Sequence, residues 1–138
     1  MAMTACIPNL AKGDFLSGVH TSGDTYKVAL YTQAAASFGT TSTVYTVTGE
    51  IVTTTYVAGG ATLATYTASV SGTVGYLDWS VDPTWGPVTI TSDGAVIYNS
   101  SKSSKLIAVL TYTSAASTAG TWTLVLPAAG ATAIITMA

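Results

Sequence analysis

The sequence predicts an all-β domain, an antiparallel β-sandwich or jelly-roll-like fold with a short N-terminal helix. Strand-forming residues dominate after residue 25, and 40 of the 138 residues are Thr or Ser. Segments that alternate with a period of two are separated by turn residues at the spacing typical of sandwiches. The length suits one domain and no linker divides the chain, so we expect residues 1–138 to form a single β-sandwich domain.

The N-terminal region departs from the strand pattern. Ala11, Phe15 and Val19 recur at i, i+4 and i+8 within residues 9–19, which predicts a short helix over that range. Residues 1–8 lack a basic segment and are interrupted by Pro8, so we expect an N-terminal arm rather than a signal peptide.

About nine strands are predicted after the helix, from ten segments with strand-like patterns. These segments are 26–31, 44–47, 51–56, 62–70, 76–79, 88–91, 95–98, 106–112, 122–126 and 133–137. Gly59-Gly60 predicts a turn, and residues 99–104 predict a polar connector. Asp93-Gly94 lies between two apolar runs, which is the favoured signal of a two-residue hairpin.

The composition excludes several classes of protein. Only 7% of the residues are charged, against about 25% in an average globular protein, and the chain has four Lys and no Arg. A nucleic-acid partner is therefore not expected, because phosphate binding needs clustered basic side chains. No membrane span is expected either, since Thr, Ser and Gly interrupt the uncharged region 106–138. So few charges indicate that part of the surface is covered by neighbouring subunits.

The candidates for chemistry near the N-terminus favour structural roles. His20 and Asp24 frame a Thr-Ser-Gly turn, and such a pair can orient a general base. No nucleophile motif accompanies them, so we expect His20 to be structural or to cap the turn. Cys6 has no partner for a disulfide, and a Cys6–His20 thiolate pair is a minor alternative.

The remaining charged residues give no stronger signal. Asp78 and Asp82 are four residues apart, a pairing seen in glycoside hydrolysis and calcium binding, but solvated strand ends are the favoured interpretation for them and for Asp93. Lys102 and Lys105 are expected to keep a hairpin tip soluble. The sequence thus predicts no catalytic, cofactor-binding or metal-binding residue, and no enzyme.

Large apolar side chains are the candidates for an interface. Trp is among the commonest interface anchors and is also common in cores, and either role is favoured over stacking on sugars. The candidate interface residues are Ile7, Phe15, Trp79, Trp85 and Trp122. Exposed tryptophans would favour the alternative of a carbohydrate-binding β-sandwich module.

Five segments in sequence order resemble a family of small virion structural proteins of tailed bacteriophages. The first joins Gly18-Val19-His20 to a strand of the form D-T-[FY]-K-[IV]-A-L-Y-T, here residues 24–32, and the second is similar to Y-x-A-G-G-x-x-L. The five matching segments are 16–32, 56–63, 82–85, 94–102 and 133–135. The resemblance implies a virion component and assigns no functional residues.

The resemblance and the low charge together suggest a capsid decoration, or cement, protein on the capsid surface. We expect a homotrimer that contacts the major capsid protein or another virion protein, with no cofactor. Residues 1–8 are expected to latch onto a neighbour, so that their deletion weakens capsid binding and leaves the fold intact. A neck, tail or head-fibre component is the alternative within the virion.

Overall fold

The chain folds into two antiparallel β-sheets and one short helix, which confirms the predicted all-β class. The computed structural model describes residues 2–138. Its elements are α1 (Asn9–Leu16), β1 (Tyr26–Tyr31), β2 (Ala61–Thr62), β3 (Ala64–Ser71), β4 (Val74–Val81), β5 (Thr84–Asn99), β6 (Lys105–Thr123) and β7 (Ile135–Met137). One sheet has the order β2-β1-β5-β6, and the other has the order β3-β4-β7.

Strand β1 and the adjoining part of β5 are buried on both faces. Along β1, Val28 and Leu30 point into the larger core cluster, while Ala29 and Tyr31 point into a second cluster on the opposite face. All four side chains are fully inaccessible to solvent. Because successive residues of a strand face opposite ways, a strand buried on both faces needs a covering layer on each side.

The larger cluster lies between the two sheets. It joins aliphatic residues of β1, β5 and β6 to Leu77 and Trp79 of β4 and Ile135 of β7. Trp79 stands beside Tyr26 with ring centroids 5.2 Å apart, and Tyr26 stacks on Tyr66 at 5.3 Å. These aromatic contacts fasten the three-stranded sheet to β1.

The second cluster is covered by irregular chain rather than by a sheet. Residues before α1 and residues in the long connection from β1 to β2 supply Met3, Ala36 and Phe38, which are buried against β1, β5 and β6. Tyr45 of the same connection stacks on Tyr98 of β5 at 4.4 Å. The predicted strand 44–47 is therefore wrong: only Val44 forms an isolated bridge, and the segment acts as a cover.

The N-terminal residues 2–8 lie against this cover. Met3 bridges Phe38, and Cys6 exchanges two backbone hydrogen bonds with Val109 of β6. Met1 lies outside the described residues. Because Met3 is a buried core side chain, deletion of residues 1–8 should lower the stability of the fold, contrary to the expectation for a free arm.

A second strand prediction is wrong, because a side chain replaces part of the regular ladder there. The segment 51–56 is not a strand, although Ile51 donates its N–H to the Leu30 carbonyl. Beyond it the Tyr56 hydroxyl accepts the Leu30 N–H at 2.9 Å, so a phenol satisfies the edge of β1. A buried backbone group needs a partner, but the partner need not be backbone.

Asp93-Gly94 forms no hairpin, because β5 runs straight through it. The pairing register with β6 shifts between Ser92 and Gly94, which marks a bulge. Asp93 Oδ1 accepts the Gln33 N–H at 2.6 Å, and a Cβ on Gly94 would lie 2.6 Å from the Met3 sulfur. The Asp-Gly pair thus serves a bulge with close packing, and the hairpin between β5 and β6 is formed by residues 100–104, as the polar connector predicts.

The other predicted elements differ mainly in their lengths. Helix α1 ends at Leu16, short of the predicted residue 19, and Gly18 follows with a φ of 72°. The predicted strand 76–79 extends to Val74–Val81 and ends at Asp82-Pro83. The segment 62–70 is divided by buried Leu63, and only the first two residues of 122–126 are in a strand.

The predicted turn at Gly59-Gly60 is confirmed. Its geometry predicts that a side chain at Gly60 lowers the free energy of unfolding strongly. A Cβ on Gly60 would lie 1.8 Å from the Val28 carbonyl oxygen, at a φ of 70°. We expect Gly60→Ala to lower the free energy of unfolding by more than about 3 kcal/mol, because backbone must move in the buried sheet. Urea unfolding followed by tryptophan fluorescence measures the change.

Gly72→Ala is the matched control for this prediction. Gly72 has a φ of 61°, and a Cβ added there would have nothing within 4 Å, so its substitution should cost only the left-handed conformation, about 1 kcal/mol. If both variants lower the free energy of unfolding by the same amount, the close approach of Gly60 to the Val28 carbonyl does not explain the effect of Gly60→Ala.

Candidate functional site

A group of charged and polar side chains surrounds His20, between α1 and the hairpin that joins β5 to β6. The Asn99 amide nitrogen lies 3.0 Å from His20 Nδ1 and 2.9 Å from Asp24 Oδ2. Asn99 thus donates one hydrogen to each, which makes His20 Nδ1 an acceptor and places the ring proton on Nε2. His20 Nε2 faces Asp14 Oδ2 at 3.8 Å, and Asp14 Oδ2 also accepts from Lys105 Nζ at 2.8 Å.

The electrostatics of this group keep His20 neutral. Burial lowers the pKa of His20 below its ordinary value, although the nearby Asp14 carboxylate acts in the opposite direction. For Asp24, burial raises the pKa, but hydrogen bonds from Asn99 and Thr21 together with the Lys102 charge outweigh it and leave the pKa lowered. The neutral His20 ring accepts a hydrogen bond from the Asn99 amide of β5 and faces Asp14 of α1, so it connects these two elements to the 20–24 turn.

The arrangement matches the structural role predicted for His20, with Asp24 as the residue that caps the turn. Asp24 Oδ2 accepts the Thr21 N–H at 2.9 Å. Among residues 2–138, no hydroxyl or thiol shares a hydrogen bond with His20, and Cys6 pairs through its backbone with Val109 instead. Burial raises the pKa of the Cys6 thiol, which disfavours the reactive thiolate.

A second polar group is centred on Glu50, which the sequence analysis did not single out. Its carboxylate is only 5% exposed and accepts from the Tyr45 hydroxyl at 2.5 Å, the Tyr56 hydroxyl at 2.7 Å and the Gly59 N–H at 2.8 Å. Burial raises the pKa of both tyrosines well above the ordinary range, and the hydrogen bonds to Glu50 raise it further. The group fastens the β1–β2 connection, and its only sequence signal is one acid within a Thr-rich apolar region.

The two aspartates near the end of β4, Asp78 and Asp82, differ in their exposure to solvent. Asp82 is exposed, as predicted, and its Oδ1 accepts the Leu126 N–H at 2.8 Å. The prediction for Asp78 is wrong, because its side chain is only 2% exposed. Asp78 shares the lining of a cavity with residues 126–129 of the segment after β6, a proximity that the alternation within β4 does not indicate. Asp93 is partly buried in the β5 bulge, where Gln33 binds it.

The three tryptophans among the interface candidates lie in the core between the sheets. Trp79, Trp85 and Trp122 are 1%, 9% and 6% exposed. Trp85 and Trp122 contact each other with ring centroids 5.6 Å apart. They present little surface to a partner subunit or to a sugar ring, and their burial counts against the carbohydrate-binding alternative.

The other two candidates, Ile7 and Phe15, border an apolar groove that we call the α1 groove. Cavities of about 280 and 270 Å³ meet at Phe15 and β7, and both are lined mainly by apolar atoms. Leu16 on one side is 81% exposed and Met137 on the other is 56% exposed. Lys12 is the only charged residue among those lining the two cavities.

Two sheet edges carry no charged residue and no proline. The first is β3, which lies at the edge of its sheet and has mostly exposed side chains. The second is the distal half of β6, residues 110–123, at the edge of the other sheet. Near its start, β6 is covered by bridges from Cys6 and Val44, but the described residues provide no such bridge beyond Val109. Soluble proteins usually protect long edges with charge, proline or a covering segment.

Comparison with known proteins adds no relative: no family model, no curated protein and no solved structure matches the chain. Within residues 2–138, no helix has the length and apolar character needed to span a membrane.

The neutral state of His20 predicts that stability depends on pH. Because its pKa is lowered on folding, the unfolded chain binds a proton that the folded protein resists, and stability should fall as the pH falls from about 6.5 through the folded-state pKa. Urea unfolding of wild type and His20→Gln at pH 7.5 and pH 5 measures this. We expect the variant to lose less stability across the interval, and equal losses would contradict the assignment.

Proposed function

We propose that this chain is a structural virion protein of a tailed phage, a capsid decoration protein on the outer surface of the head. The proposal starts from the resemblance carried by the five segments between residues 16 and 135. It is supported by a surface with very few charges, since only 10 residues of 138 are Lys, Asp or Glu. A permanent contact with the major capsid protein is easier to form when few charges must be desolvated.

The observation that carries the proposal is the pair of unprotected, uncharged sheet edges. A closed ring of identical subunits needs two different complementary surfaces on each copy. Strand β3 and the distal half of β6 are two such surfaces, on different sheets of the same chain. We infer that β3 of one copy pairs with β6 of the next, and that three copies close the ring.

The α1 groove supplies a further apolar surface beside β3. Tyr66 and Ala68 of β3 line it together with Phe15 and Met137. Pairing along β3 would therefore bury backbone groups and apolar side chains in one continuous contact. Exposed apolar surface of this kind is typical of proteins that associate permanently.

A neck, tail or head-fibre component is the second candidate, because the same two edges would also form larger rings or fibres. The number of copies distinguishes the candidates. A decoration protein should occur in purified particles in numbers comparable to the major capsid protein, whereas a neck ring contributes only six or twelve copies. Quantitative mass spectrometry of purified virions measures this ratio, and a neck-like ratio would contradict the decoration assignment.

The proposed ring predicts a specific mixing result. We expect wild type to be a trimer by light scattering, insensitive to dilution and salt. Val70→Lys on β3 and Ala116→Lys on β6 each place a charge at an exposed position of one edge, and each variant should be a monomer. An equimolar mixture should form dimers, because each variant keeps the edge that the other has lost.

Val57→Lys is the matched control, since Val57 is 77% exposed and belongs to the β1–β2 connection, outside both edge strands. It should remain a trimer. If the two edge variants stay trimeric, or if their mixture stays monomeric while wild type is a trimer, the β3–β6 contact is wrong. A wild type that is monomeric at all concentrations would contradict the stable ring in solution.

A further inference from the structure

The buried Asn99 side chain makes three hydrogen bonds that together fix its orientation. Its amide nitrogen donates to His20 Nδ1 at 3.0 Å and to Asp24 Oδ2 at 2.9 Å. Its Oδ1 accepts the Ser101 N–H at 3.0 Å. An ionised carboxylate can only accept and a backbone N–H can only donate, so Asp24 and Ser101 decide which way the amide points. In that orientation the amide requires an unprotonated Nδ1 on His20.

Protonation of His20 removes the acceptor that this arrangement needs. Both ring nitrogens of an imidazolium are donors, so Nδ1 and the Asn99 amide nitrogen would present hydrogens to each other. A half-turn of the amide would offer Oδ1 to the ring. The same half-turn would set Oδ1 against the Asp24 carboxylate and the amide nitrogen against the Ser101 N–H. The amide therefore suits its surroundings in only one charge state of the histidine.

Four charged side chains surround the ring, and their effects on it oppose one another. Asp14 of α1 faces His20 Nε2 at 3.8 Å and pairs with Lys105 of β6 at 2.8 Å. Lys102 of the hairpin pairs with Asp24 of the 20–24 turn at 3.6 Å. The two carboxylates favour the protonated ring and the two ammonium groups oppose it. Because these charges offset one another in part, the burial of the ring has the largest effect on its pKa, which is lowered.

The imidazole is the group of this cluster that gains a proton as the pH falls from neutral. Its side chain is fully buried, with the rings of Phe15 and Tyr26 at centroid distances of 5.0 and 6.5 Å. Burial raises the pKa of Tyr26 well above its ordinary range, so the phenol stays neutral. Although burial acts to raise the pKa of Asp24, hydrogen bonds led by the one from Asn99 leave it lowered, and the carboxylate stays ionised.

We propose that His20 and Asn99 form a pH-sensitive switch that joins the 20–24 turn to the β5–β6 hairpin at neutral pH and releases it in mild acid. At neutral pH the amide holds the ring, Asp24 and the Ser101 N–H together. Once His20 is protonated, the amide leaves these partners and the ring pairs with Asp14. Neither His20 nor Asn99 belongs to a core cluster, so the joint opens while the two sheets remain folded. The inference concerns a single copy and does not depend on the proposed function in the virion.

An NMR titration of the full chain from pH 7.5 downwards tests the switch. At pH 7.5 the ring nitrogen shifts of His20 should show the proton on Nε2. The Asn99 side-chain amide and the Ser101 N–H should then shift with the same midpoint as His20, below about pH 6.5. At that midpoint the Ser101 N–H should lose protection from hydrogen exchange, measured against its intrinsic rate, while the amides of the β1–β5 ladder keep theirs. His20→Gln should abolish the shifts at Asn99 and Ser101.

Asn99→Asp should reverse the preference of the switch. A carboxylate at position 99 accepts from a protonated Nδ1, so the proton affinity of His20 should rise at least about tenfold. Asn9→Asp is the matched control, since it makes the same change at an exposed residue at the start of α1, and it should leave the midpoint unchanged.

The titrations of wild type and His20→Gln decide the question even if Asn99→Asp does not fold. Four results would each overturn the proposal: a proton on Nδ1 of His20 at pH 7.5, signals of Asn99 and Ser101 that do not follow the His20 midpoint, the same shifts in His20→Gln, or loss of ladder protection together with that of Ser101. The last result would mean that acid unfolds the sheets and the joint as one unit.

Discussion

Burial of β1 and the centre of β5 on both faces dictates where most of the other segments must lie. Val28 and Leu30 require a cover on one side, and Ala29 and Tyr31 require one on the other. The three-stranded sheet supplies the first cover, with Trp79 and Tyr66 against Tyr26. The described chain has no further sheet for the second, so residues 2–8 and the β1–β2 connection are drawn across it, held there by Glu50 and its tyrosines. The long irregular connection is thus a structural layer, as buried apolar surface requires.

Several of the few charged side chains lie at contacts between elements, and the two sheet edges, β3 and the distal half of β6, carry none. Lys105 pairs with Asp14, Lys102 pairs with Asp24, and Glu50 is enclosed by hydroxyl groups. These contacts connect α1, the turn before β1 and the β5–β6 hairpin. The chain has no charged side chain at β3 or at the distal half of β6. These two uncharged edges are the surfaces that we propose for contact between copies. Asp78 is a buried carboxyl group that forms no ion pair within the described residues.

Sequence patterns identify part of the candidate surface and miss the rest for a clear reason. Large apolar character selects Ile7 and Phe15, and both border the α1 groove. The same criterion selects three tryptophans that the structure places in the core, because size and hydrophobicity favour cores and interfaces alike. The sequence places Asp78 in solvent, since β4 ends near it. Asp78 is buried and shares a cavity lining with residues 126–129, nearly fifty positions later, and no local pattern reports such a proximity.

The β class, the turn at Gly59-Gly60, the polar connector before β6 and the core of β4 can all be predicted from the order of amino acids, because they follow from local alternation and turn chemistry. Three other features emerge only in the folded chain: 44–47 covers a sheet face, Asp93-Gly94 is a bulge, and His20 accepts from Asn99. Each depends on which distant group meets the segment, namely Tyr98 for the cover, Met3 and Gln33 for the bulge, and Asn99 for the histidine. Local preference leaves such segments nearly balanced between conformations, and the long-range contact that satisfies a buried group selects one of them.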